Sequence, residues 1–138
     1  MLKKVFVLIF SAFIVLSLIV FNNAPVFSEY ADEYEVYLTD FSCSEKIISV
    51  NKFEYPFIFN VKGESAIIKN QNFSLTDFLN ELNAQVVHCE SGEDYTCYYA
   101  YSPTLKRSKV INDKLVNLHI AITQKGVKVG SPIIYGSF

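Results

Sequence analysis

Residues 114–134 read KLVNLHIAITQKGVKVGSPII. Apolar and β-branched side chains run through Lys114–Thr123 and again through Val127–Ile134, with Lys125-Gly126 between them, the pattern of two strands joined by a tight turn. A two-residue turn at Lys125-Gly126 sets Ile122 opposite Val129, Ile120 opposite Ser131, Leu118 opposite Ile133 and Val116 opposite Tyr135. That register lines one face with apolar groups and sends Asn117, His119, Ala121 and Thr123 to the other. A sheet with one apolar face needs a second layer to bury it.

The cover is expected at Phe73-Ser74-Leu75-Thr76-Asp77-Phe78. Ser74 is placed to cap free helix N–H groups, Asp77 follows three residues on, and Phe73 and Phe78 hold the two hydrophobic staple positions. Leu75, Phe78, Leu79 and Leu82 make one stripe, and Asn83, tolerant of left-handed backbone, ends the helix.

Further strands are expected on both sides. Lys46–Val50, Tyr55–Val61 and Ser65–Lys69 read as a meander broken at Asn51-Lys52 and Gly63-Glu64. Gln85–Cys89 and Tyr95–Tyr101 flank the polar turn Ser91–Asp94, and Lys106–Ile111 joins Lys114 through Asn112-Asp113. Tyr30, Tyr34, Tyr37, Leu38 and Phe41 recur at helical spacing, predicting a short amphipathic helix over Glu29–Phe41. Tyr135 and Phe138 are expected to dock on the body. The fold class is therefore α+β: an antiparallel sheet of about five to seven strands packed on one main amphipathic helix.

Ahead of this domain stands VFVLIFSAFIVLSLIVF, Val5 to Phe21, in which fourteen of seventeen residues are Val, Leu, Ile or Phe and none is charged. Such a run favours membrane insertion by about 4 to 8 kcal/mol. Lys3 and Lys4 precede it and Glu29, Asp32, Glu33 and Glu35 follow, so the positive-inside rule holds the N-terminus in the cytoplasm and sends the rest across. Residues 1–28 are expected to be an export segment and 29–138 a single extracytoplasmic domain. Val26-Phe27-Ser28 offers a small-residue cleavage pattern that favours a secreted product cut after Ser28 over an uncleaved anchor.

Three cysteines lie in the translocated part, where oxidation is permitted. If Cys89 opposes Cys97, with Val87 opposite Tyr99 and Gln85 opposite Tyr101, a bridge is within reach, and closing its short loop would stabilise by about 2.5 kcal/mol. Cys43 would remain unpaired.

Residues 29–103 carry thirteen acids against four bases, whereas 104–138 carry six bases against Asp113 alone. Lys106, Arg107, Lys109 and Lys114 form the candidate face for an anionic partner, such as a wall polymer or an anionic lipid surface. Nucleic acid is excluded by the net acidity of an exported domain without basic runs interleaved with aromatics. Eleven lysines against one arginine, with abundant Asn, Ile, Phe and Tyr, are the signature of AT-rich codons and point to a low-GC bacterial chain.

Catalytic chemistry has little to build on. His88 and His119 are the only histidines, neither sits in a nucleophile motif, and neighbouring strand residues such as His88 and Cys89 point to opposite faces. No phosphate loop, metal-ligand spacing, paired-carboxylate motif or cofactor fingerprint is present. The expected function is a non-enzymatic exported or membrane-anchored module that binds a protein or envelope component. A small secreted hydrolase or hydrolase inhibitor is the alternative.

Overall fold

The computed structural model describes residues 1–39, 45–69 and 72–138. A long helix, α1 (Leu2–Asn22), precedes an α+β body. Seven strands form one antiparallel sheet: β1 (Glu33–Thr39), β2 (Glu45–Asn51), β3 (Val61–Ile68), β4 (Gln85–Ser91), β5 (Tyr95–Tyr101), β8 (Leu118–Thr123) and β9 (Gly126–Ser131), in the order β2-β1-β3-β9-β8-β5-β4. A small hairpin, β6 (Lys109–Ile111) with β7 (Lys114–Val116), stands apart, and α2 (Leu75–Glu81) packs on the sheet's inner face.

The helix starts as its residues dictate. Asp77 N–H donates to Ser74 Oγ at 3.3 Å, the rings of Phe73 and Phe78 lie 5.4 Å apart, and Asn83 takes a φ of 48°. Asn112 and Asp113 both adopt positive φ, 49° and 61°, closing the β6–β7 hairpin in the primed turn that matches strand twist.

The 114–134 hairpin forms with its turn one residue earlier than expected. Thr123 pairs with Gly126, so Ile122 faces Val127 and Ile120 faces Val129. Thr123 Oγ1 accepts the Lys125 N–H at 3.1 Å, and Gly126 supplies the positive φ of 136°. Pairs move by two residues, which preserves the face: Leu118, Ile120 and Val129 are buried toward α2. The strand also breaks at Asn117, whose amide donates to the carbonyls of Ser102 at 2.6 Å and Leu105 at 3.2 Å while its Oδ1 accepts the Ser102 N–H at 2.7 Å.

Two segments differ more. Where a helix is expected over 29–41, residues 33–39 form strand β1, because Glu33-Tyr34-Glu35-Val36 also alternates with period two and both neighbours pair with it; Phe41 lies outside the described residues. Tyr34 and Val36 are buried inward, while Glu35 and Tyr37 face out. The strand expected at Tyr55–Val61 is instead a 3-10 turn (Tyr55–Phe57) and an irregular run, and Gly63-Glu64 is no turn but the interior of β3. Gly63 is needed there by packing: a Cβ would come within 2.5 Å of Tyr135 and 3.0 Å of the Ser131 carbonyl.

Residues 132–138 fold back over the outer face as a second cover. Tyr135 stacks on Tyr37 at 3.9 Å, Phe138 meets Tyr95 at 5.6 Å, and Lys128 Nζ donates to Glu35 at 2.6 Å and to the Ser137 carbonyl at 2.8 Å.

Candidate functional site

α1 ends where the apolar run gives way to Asn22-Asn23-Ala24-Pro25, since proline disfavours helix in the residue before it. Asn23 then does two things. Its N–H closes the helix on the Ile19 carbonyl at 3.1 Å, and its Nδ2 donates to the carbonyls of Pro56 at 3.0 Å and Ile58 at 2.8 Å. One side-chain amide thus satisfies two carbonyls of the irregular 55–60 run and ties the helix to the body. The chain continues inward: Phe27 is 0% exposed and stacks on Phe78 of α2 at 6.4 Å. The folded body therefore begins at Asn23, six residues ahead of the boundary expected at Glu29.

Beneath this segment lies Glu64, only 1% exposed on the otherwise apolar inner face of β3. It accepts the Val26 N–H at 2.5 Å, the Phe27 N–H and the Tyr55 hydroxyl. Burial pushes its carboxyl pKa up, opposed by those hydrogen bonds and by the nearby Arg107. Burial and the Glu64 charge likewise push the Tyr55 hydroxyl pKa up. A buried carboxylate with three donors is a fastening: each donor belongs to a segment that is irregular in sequence and held in place by it.

Arg107 borders this cluster and donates from Nε to the Val61 carbonyl at 3.1 Å. Of the other cations expected to share a face with it, Lys106 is exposed, Lys109 lies over the Tyr135 ring at 5.8 Å, and Lys114 donates to the Val87 carbonyl at 2.7 Å. Val61 is on β3 and Val87 on β4, four strand spacings or about 19 Å apart. Arg107 and Lys114 are therefore held by strands that far apart.

The cysteine register is not the one expected. A bulge at Val87 shifts the β4–β5 pairing by one, so Glu90 faces Cys97 and Cys89 faces Tyr98. Cys89 and Cys97 therefore point to opposite faces and are both free, Cys89 exposed and Cys97 buried. Cys43 lies outside the described residues.

His119, on the outer face, is also buried. It stacks on Tyr99 at 4.4 Å, its Nδ1 accepts the Ile134 N–H at 3.2 Å, and its Nε2 is buried without a partner among the described residues. Burial pushes its pKa down to about 4, against a small opposing pull from Glu90. Burial also raises the Cys97 thiol.

Sequence reasoning passed over Asn23, Phe27, Tyr55 and Glu64. The one available signal was Glu64 itself, an acid between β-formers, which beside Gly63 was most simply a turn. No family model, curated protein or solved structure matches this chain.

Proposed function

We propose that the chain is a membrane-anchored, non-enzymatic extracytoplasmic module that binds a protein or envelope component at the membrane surface, and that α1 is kept as a permanent anchor. The observation that carries the anchor is Phe27. Cutting after Ser28 would remove a ring that is wholly buried against Phe78, together with the Val26 and Phe27 N–H groups on Glu64 and the Asn23 amide on Pro56 and Ile58. The released product would hold a buried carboxylate stripped of two donors, a loss of a kind that costs several kcal/mol. Lys3 and Lys4 before the apolar run and four acids after it support an N-terminus in the cytoplasm.

Supporting a binding role over hydrolysis is the electrostatic state of the two buried groups on the outer face, Cys97 and His119. Burial raises Cys97 and lowers His119, so both are held neutral, the reverse of the thiolate and imidazolium that a cysteine nucleophile pair requires.

Intact-mass analysis of the protein recovered from the membranes of producing cells tests the anchor. A mass including α1 is expected. A soluble chain beginning at Glu29 would overturn it.

A further inference from the structure

The body does not stand clear of its helix. Val15, Leu18, Ile19 and Asn22 of α1 form one wall of a cleft of about 520 Å³, and Ile58, Phe59, Asn60, Val61 and Arg107 form the other. Val15 lies seven residues before the helix end, about 10 Å along its axis. The apolar run of seventeen residues has only about 26 Å with which to fill a hydrocarbon core of about 30 Å. With α1 in the bilayer, the wall facing Val15 and Leu18 is therefore brought within reach of the outer headgroups and upper acyl chains.

Its chemistry suits that depth. Phe59 is 66% exposed and projects from the loop where α1 passes. Arg107, half-buried, lines the same cleft, and the exposed Lys62, Lys106 and Lys109 each lie within three residues of Phe59 or Arg107 in the chain. An aromatic ring among cations matches the interfacial zone, where rings settle at headgroup level and basic side chains meet phosphates. One wall of the cleft is α1 itself, so what reaches it from the side is what surrounds α1. We propose that this end of the body, led by Phe59 with Lys62, Lys106, Arg107 and Lys109, lies on the outer surface of the same bilayer and binds anionic phospholipid there. The proposal rests on the reading of α1 as a retained anchor.

The chain contains no tryptophan, so single reporters are unambiguous. Full-length Phe59→Trp and, separately, Phe13→Trp are reconstituted into vesicles whose acyl chains carry bromine, made of phosphatidylcholine alone or with phosphatidylglycerol. Both reporters are expected to be quenched in the anionic vesicles. Phe59→Trp quenching is expected to fall several-fold in phosphatidylcholine and when Lys62, Lys106 and Lys109 are changed together to Gln. Quenching of Phe13→Trp with Phe59→Trp left as bright as in water would overturn the docking and leave the anchor standing. An unquenched Phe13→Trp would overturn both, and equal Phe59→Trp quenching in the two lipids would overturn the assignment to an anionic surface.

Discussion

Phe27 and His119 are single side chains on which whole segments depend. Phe27 contributes its ring to the inner core where the chain enters the body, so Phe27→Ala should lower unfolding stability by about 3 to 5 kcal/mol, as for other buried aromatics. Denaturant titration of the full chain in detergent measures this, and parent-like stability would contradict it. His119 sets a pH dependence. In the unfolded chain it gains a proton near pH 6.5, whereas the folded environment holds it neutral to about 4, so stability present above 6.5 is lost as pH falls through that window. The loss is on the order of 3 kcal/mol once both values are passed. Glu64, with its carboxyl pushed up by burial, works in the opposite sense, its contribution fading as pH rises through its folded value. His119→Phe isolates the histidine: it forfeits the Ile134 N–H bond at every pH but should flatten the decline below pH 6.5. An unchanged decline in the variant would assign it to another group.

At the scale of elements, the parts that were legible are those that local chemistry decides. The Ser74 cap, the Phe73–Phe78 staple and the Asn112-Asp113 turn each depend on residues within a few positions of one another, and each forms as read. β1 was not legible because Tyr34, Tyr37 and Leu38 satisfy helical spacing while Tyr34, Val36 and Leu38 satisfy period two, and only the pairing with β2 and β3 chooses between them. The bulge at Val87 leaves no local mark either, yet it moves every later residue of β4 to the other face. Its consequence is chemical. Without reductant, alkylation of the native protein should modify Cys89 readily and Cys97 only after unfolding, read by peptide mass spectrometry. A peptide cross-linking Cys89 to Cys97 would restore the unbulged register.

For the molecule as a whole, the α+β class, the covering helix and the apolar N-terminal helix follow from periodicity and composition. The site at the helix base does not, because it is assembled from Asn23, Tyr55, Glu64 and Arg107, residues whose proximity exists only after the sheet has formed. Charge counting found the cations of 106–114 but could not show that Arg107 turns inward while Lys114 reaches the far strand.

Between Asn22 and Pro25 there is no slack. Asn22 ends the helix, Asn23 is bonded to the body and Pro25 is buried in it. A globular head on a long stalk samples a hemisphere; this one has no stalk to sample with. With α1 as the proposed anchor, the body is held against the lipid from which the helix emerges. Encounters with neighbours in the same membrane then become a two-dimensional search with orientation already set. Soluble partners must come down to the surface to be met.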